Sequence, residues 1–393
     1  MAHKNEYTPI LNAVEQVIEN GFEGLESAVT ILLNEAMRIE RSRVLQAEPW
    51  QRTQARRGYA NGYKPRTMDS RLGKLRLNLP QVRGDVRFYP SCLERGLRSE
   101  RALKLAMAEM YVNGVSTRKV TEVLEKLCGL EVTGTQVSRA TELLDDELEK
   151  WRNRPLNRTP FLQLDARYEN VRHGGSVVSC AVLIATGVTF DGKRSVLGVS
   201  VSLSEAEAHW RSFLSSLKER GLHGVVMITS DDHEGLKAAL RATFNGVPWN
   251  RCHVHLQRNA GHYVPKVCMR EPVAQDIRSI LTAPDLEEAR RLLEITTKKY
   301  SSKAPRLAAW MEDNIPEGFT VFMLPPHQRK RLRSTNMLER LNREIKRRTR
   351  VATLFPNEAS LLRLVSAVLM ETSEEWEAAG KIYMRLESDQ IPN

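Results

Sequence analysis

The sequence predicts a mixed α/β core set between helical regions, and three observations lead there. Between about residues 156 and 260, apolar runs of strand length alternate first with tight turns and then with amphipathic helix. On both sides of that stretch, apolar residues recur at helical spacing instead. The composition, 41% hydrophobic and 27% charged over 393 residues, suits a folded chain long enough for two or three cores.

Residues 1–50 form a helical region, with Leu25, Val29, Leu32, Leu33 and Ala36 on one stripe. Residues 51–100 differ in texture. Nine Arg and Lys fall between Arg52 and Arg83, among Gly, Pro and the alternating Leu75, Arg76 and Leu77. This predicts a basic segment of loops and short strands. Residues 101–155 return to helix, broken at Asn113-Gly114 and Cys128-Gly129, with the last helix opening near Thr133. Short helices joined by Gly-containing turns suit a helix-turn-helix, which would turn Thr135, Gln136, Ser138 and Arg139 toward DNA. The same spacing also serves a three-helix bundle with solvated polar faces.

Residues 156–260 carry the strands. Runs at 161–166, 177–184 and 196–201 are separated by the turns His173-Gly174-Gly175 and Asp191-Gly192. An amphipathic helix at 206–220 comes next, with Trp210, Phe213, Leu214 and Leu217 on its core face and Gly221 at its end. A strand at 225–230, a helix at 235–243 and a strand around 251–256 complete an α/β layer of ribonuclease-H-like order. Residues 261–328 read as a helical insertion, and residues 329–393 as two further helices closing the core.

Charge narrows the partner. Lys and Arg total 59 against 48 Asp and Glu, a net +11, which favours a polyanion, nucleic acid before membrane. The opening MAHKNEYTPI lacks the apolar stretch of a secretory signal, and the longest apolar run, near 177–188, is too short to span a bilayer. Five scattered cysteines read as reduced thiols, so a cytoplasmic protein is expected.

Two acids stand at the ends of apolar strands: Asp165 in FLQLDARYENVR and Asp231, beside Asp232, in MITSDD. Strands would fix such carboxylates to share a divalent cation, because Mg²⁺ prefers oxygen ligands in octahedral array. Capping a turn is the commoner use of any one strand-end Asp. A third acid is offered by RLRSTNMLERLNREIKRRTR, where Glu339 and Glu344 are the only carboxylates among ten Lys and Arg between Arg329 and Arg350. Leu338, Leu341 and Ile345 make the apolar stripe, and Glu339 shares a neighbouring face with Asn342, Arg343 and Lys346. Glu339 also stands three residues after Asn336, as in a capping box. Asp232 is placed to cap the helix beginning near His233. Cys252-His253-Val254-His255 could hold zinc, but it offers too few ligands for a closed site. Packing beside the acids is the favoured role for Cys252 and His255.

The stretches LQLDARYENVR, ITSDDHEGLKAAL, RCHVHLQRN and STNMLERLNREIKRRTRVATLFPNEASLLRLV resemble the mutator-type transposases of bacterial insertion sequences in order and spacing. RRGYANGYKPRTMDSRLGKLRLNLPQVR is similar to that family's N-terminal region. The resemblance implies an α/β ribonuclease-H-like catalytic core interrupted by an all-α insertion and preceded by mainly helical N-terminal DNA-binding regions. It implies a DDE triad of Asp165, Asp231 and Glu339, the last two 108 residues apart across the insertion.

The same resemblance implies DNA cleavage that frees a 3′-hydroxyl, then strand transfer, with Mg²⁺ as cofactor and Mn²⁺ as a substitute. Expected partners are double-stranded DNA (terminal inverted repeats and target) and further copies of the chain, as a homodimer or larger. No membrane is involved, and the setting is bacterial cytoplasm, at the nucleoid. Arg343, Lys346, Arg347 and Arg350 would neutralise phosphates near the acids. Two rival functions remain open: a nuclease or resolvase of the same fold that cleaves without joining, and a DNA-binding regulator whose acids are structural.

Overall fold

The computed structural model describes residues 8–350, 354–380 and 382–386. The chain divides into two compact units, Met1–Leu143 and Leu144–Asn393.

The first unit begins with helices α1 (Thr8–Asn20) and α2 (Leu25–Leu45). A long antiparallel ribbon comes next, β1 (Tyr59–Ser70) and β2 (Gly73–Arg83), turning where Ser70 faces Gly73. At 12 and 11 residues these strands outrun the short ones expected from the sequence. The two-residue period explains their stability: Leu75 and Leu77 point inward onto Met37 and Leu93, while Lys74, Arg76 and Asn78 face out. Helices α3 (Arg101–Val112), α4 (Thr117–Cys128) and α5 (Gly134–Ala140) then close around Leu103, Met107, Val120, Leu124 and Val137. Helix α4 stops at Gly129, whose φ of 62° suits glycine. Helix α5 opens with a capping box in which Thr133 and Gln136 satisfy each other's backbone N–H groups. Thr133→Ala is expected to cost about 1 kcal/mol, read as a lower urea midpoint of the full chain.

The second unit starts with α6 (Asp145–Arg152). Its sheet contains β3 (Phe161–His173), β4 (Ser176–Val188), β5 (Arg194–Ser202), β6 (Met227–Ser230) and β7 (Trp249–Arg251). The spatial order is β5-β4-β3-β6-β7, with β3, β4 and β5 antiparallel and β6 and β7 parallel to β3. The β3–β4 hairpin is a two-residue turn at Gly174-Gly175. Both have positive φ (56° and 84°), the geometry that matches strand twist. Helices α7 (Glu207–Glu219) and α8 (Glu234–Thr243) cover one sheet face, burying Trp210, Phe213, Leu214 and Leu217 against Leu164 and Leu183.

One expected strand is corrected. The segment 251–256 is not extended: β7 ends at Arg251, and α9 (His253–Ala260) begins two residues later. The β6–β7 ladder ends at Ser230 and Arg251, and the inward residues beyond it, His253, Leu256 and Ala260, keep to the helical period. The 261–328 segment contributes α10 (Arg270–Leu281), α11 (Leu286–Tyr300) and α12 (Pro305–Asn314). There Trp310 is buried and stacks on Tyr263, with ring centroids 5.4 Å apart. Helices α13 (Pro326–Leu332), α14 (Asn336–Thr349) and α15 (Glu358–Ala378) complete the unit, α15 packing on β5 and β3. Helix α6 is tied to α15 by a bidentate Arg363–Asp145 pair at 2.6 Å and by Arg152 donating to Ser366. No helix among the described residues is long and apolar enough to cross a membrane.

Candidate active site

Strand register brings the first two acids together. In the parallel β3–β6 pair, Gln163 lies opposite Thr229. Two residues farther along each chain stand Asp165, still within β3, and Asp231, just past the end of β6, near enough for the charge of Asp231 to act on the Asp165 carboxyl. The β6–β7 register, Ser230 opposite Arg251, sets Cys252 next in that row.

The face of β3 that carries Asp165 is polar at every second residue, and each of these side chains holds either α14 or the segment leading into it. Gln163 Nε2 donates to the Ser334 and Arg331 carbonyls at 3.1 and 3.3 Å. Asp165 Oδ2 accepts from Asn342 Nδ2 at 2.7 Å, and Arg167 donates to the Asn342 carbonyl. Glu169 accepts from Thr349 Oγ1 at 3.1 Å. From β6, Thr229 Oγ1 donates to the Leu332 carbonyl at 2.8 Å. Helix α14 is thereby held over the strand ends, with Glu339 one turn before Asn342 and on the same side.

Glu339 is not consumed in a cap. Thr335, not Asn336, is the N-cap of α14; no side-chain cap bond forms, and the Thr335 hydroxyl lies 3.3 Å from Cys252 Sγ. The Glu339 Oε1 atom is buried without a hydrogen-bond partner, and the Arg258 guanidinium stands 3.8 Å away.

The Cys252–His255 element frames the acids. Besides the Thr335 hydroxyl contact, Cys252 Sγ accepts from the Thr335 N–H at 3.4 Å, and His253 Nε2 lies 2.8 Å from the Gly318 carbonyl. His255 Nδ1 is 3.9 Å from Asp231 Oδ1. Asp232 does not cap α8; His233 is the N-cap, with no side-chain bond. Asp232 lies just past β6, where Lys237 at 2.7 Å and Arg251 at 3.1 Å hold it. Arg251, only 3% exposed, also reaches Glu317 at 2.7 Å and Asn314 at 2.9 Å.

Burial pushes the Asp165 carboxyl up to about 6, and the neighbouring Asp231 adds to the rise against the opposing effects of His255, the Ala166 N–H and Asn342. Burial works against a charged His255, but Cys252 and the two carboxylates outweigh it and raise the imidazole to about 9. Linkage fixes the sign for Asp165. Its folded value exceeds the unfolded one, so the folded state holds the proton more tightly, and stability from this group is present below pH 4 and lost as pH rises to about 6. Asp165→Asn is expected to flatten that part of the stability–pH curve of cation-free protein, measured by urea titration between pH 4 and 7.

The donor set fits a hard divalent cation. Asp165, Asp231 and Glu339 offer only oxygens, and Glu339 has one buried oxygen with nothing bonded to it. Among the described residues, no group of three or more His, Cys, Asp or Glu stands in metal-holding proximity. Asp165, Asp231 and His255 are near enough to act on one another's charge, and the three acids form no closed coordination sphere.

Arg343, Lys346 and Arg347 on α14 and Arg350 just past its end are exposed, lining a cleft of about 700 Å³ with Arg340, Glu371 and Trp376. Arg347 is paired with Glu344 at 2.7 Å; Arg343, Lys346 and Arg350 have no ion pair among the described residues. Thr135, Gln136 and Arg139 lie on α5 in the first unit, all exposed, with Gln136 also serving the α5 cap.

Residues 1–379 match the model of a family described as Transposase, Mutator family. The chain belongs to that family. It is 53% identical over 386 residues to the transposase for insertion sequence element IS406 of Burkholderia multivorans, covering 98% of this chain and 99% of that one. It is 42% identical to the transposase for ISRM5 of Rhizobium meliloti, over 94% of this chain and 92% of the relative. To the transposase for IS256 in transposon Tn4001 of Staphylococcus aureus it is 37% identical, over 92% and 93%. Sequence reasoning missed Gln163, Arg167, Glu169, Asn342 and Arg258 as parts of this mutator-family site. The alternation of Gln163, Asp165, Arg167 and Glu169 along one strand face was the available signal for the first three.

Proposed function

We propose that this mutator-family chain is an insertion-sequence transposase that cleaves DNA at terminal inverted repeats and joins the freed 3′-hydroxyl to target DNA. Asp165, Asp231 and Glu339 form its DDE triad in a ribonuclease-H-like core. The observation that supports the reading is the parallel β3–β6 pairing, which leads to Asp165 and Asp231 within reach of each other's charge, with Asp165 bonded to Asn342 of α14, the helix bearing Glu339. The strand order, three antiparallel strands and then two parallel to the first, agrees with that fold.

Both steps are in-line phosphoryl transfers. Water attacks the phosphorus at the element's end and the 3′-oxygen leaves. The resulting 3′-hydroxyl then attacks a target phosphodiester, from which another 3′-oxygen departs. Mg²⁺ or Mn²⁺, when bound, supplies activation of the nucleophile and charge neutralisation at the leaving oxygen. The three acids would hold the cation, Asp165 from within β3, Asp231 from just past the end of β6 and Glu339 from the clamped helix. His255 and Arg258 place positive charge beside the acids, offsetting their repulsion. Arg343, Lys346 and Arg350 attract the phosphate backbone irrespective of sequence. End recognition falls to the ribbon β1–β2 and to α5 with Thr135, Gln136 and Arg139, and two copies or more bring two ends together.

Incubating the full chain with linear DNA carrying the element's terminal repeats, a target plasmid and Mg²⁺ tests this reading. Joined products are expected. Cleavage without joining favours a nuclease or resolvase, and binding with no turnover favours a regulator.

A further inference from the structure

The side-chain amide of Asn342 is bonded on one side only. Its Nδ2 donates to Asp165 Oδ2 at 2.7 Å, while its Oδ1 is buried with no hydrogen-bond partner. Exchanging the two amide atoms does not remove the mismatch, because it would set oxygen against a carboxylate oxygen; the acceptor at Asp165 fixes the orientation. Nor is the residue free to turn away. Its main-chain carbonyl accepts from Arg167, whose guanidinium is itself held by Glu169.

One helical turn earlier, Glu339 Oε1 is also buried and unpartnered. Positions i and i+3 lie on one helix face, so α14 carries both orphaned acceptors on the same side. Buried polar atoms nearly always find partners, and two such acceptors call for a donor that the protein itself does not supply. The nearest cation, the Arg258 guanidinium, stands 3.8 Å from the Glu339 carboxylate, beyond hydrogen-bond reach.

We propose that Asn342 is a positioning residue of the site. Its Nδ2 fixes the Asp165 carboxylate, and its Oδ1, together with Glu339 Oε1, accepts hydrogen bonds from water in the hydration shell of a divalent cation. This rests on the reading of Asp165, Asp231 and Glu339 as the cation-holding set. An amide suits the place because it restrains one carboxylate and receives a proton donor without adding a fourth negative charge. Removing outer-shell partners of this kind typically weakens metal binding about 10- to 100-fold.

The test measures Mn²⁺ binding to the full-length protein by electron paramagnetic resonance, alongside the melting temperature of the cation-free protein. Asn342→Ala and Asn342→Leu, the second keeping the bulk should the first not fold, are expected to bind Mn²⁺ about tenfold more weakly or worse, with little change in melting temperature. Wild-type Mn²⁺ affinity in both variants, with or without a lowered melting temperature, overturns the proposal, provided Asp165→Asn loses binding. If Asp165→Asn binds as the wild type does, or the wild type binds no Mn²⁺, the three-acid reading falls and this inference with it.

Discussion

Asp165→Asn is expected to reduce Mg²⁺-dependent cleavage of terminal-repeat DNA by a factor on the order of 10³, while binding of the same DNA persists. The substitution is nearly isosteric. An amide oxygen at position 165 can still accept from Asn342 Nδ2, so the tie between β3 and α14 survives. The loss is one of two neighbouring negative charges, one within β3 and one just past the end of β6. DNA binding is expected to hold steady or tighten, because a negative charge leaves a chain of net charge +11. Single-turnover cleavage and a gel-shift titration measure the two quantities. Cleavage within a few-fold of wild type would show that the carboxylate does no chemistry.

Arg251→Ala is expected to destabilise the protein by about 3–5 kcal/mol, the usual cost of removing one partner from a buried ionic network. The Arg251 guanidinium is the buried hub between Asp232 on the core and Glu317 and Asn314 of the helical segment 261–328. Its loss leaves Lys237, at 2.7 Å from Asp232 and 3.3 Å from Glu317, as the one remaining cation among the described residues that pairs with both acids. The urea midpoint measures the effect. A change below about 1 kcal/mol would mean that the network is solvated and contributes like a surface pair.

The helix carrying Glu339 and the middles of the strands were legible in the sequence because period-3.6 and period-two patterns are local; the strand ends were not, and Asp165, expected at a strand end, lies within β3, which runs on to His173. Leu338, Leu341 and Ile345 are buried as their spacing required. The β7–α9 boundary was not legible. Cys252-His253-Val254-His255 alternates like a strand over four residues, and the helical period of His253, Leu256 and Ala260 shows only over a longer stretch, with Thr335 and Gly318 as distant partners of Cys252 and His253. Asp232 sat where a cap belongs, yet two cations, one of them on the adjacent strand, captured it. The bond from Asn342 to Asp165 spans 177 positions and leaves no local pattern at all.

The grip on α14 has a consequence for how this protein can change. Four of its contacts end on main-chain carbonyls, those of Arg331, Leu332, Ser334 and Asn342. A carbonyl is the same atom whatever side chain hangs beside it. The placement of Glu339 is therefore largely indifferent to which residues occupy the outer face of the helix, at 340, 343, 346, 347 and 350. On the proposed function, mutation can retune the charge that this face offers to phosphates while the placement of the helix stays as it was. Phosphate attraction and chemistry would then share a helix but be inherited separately.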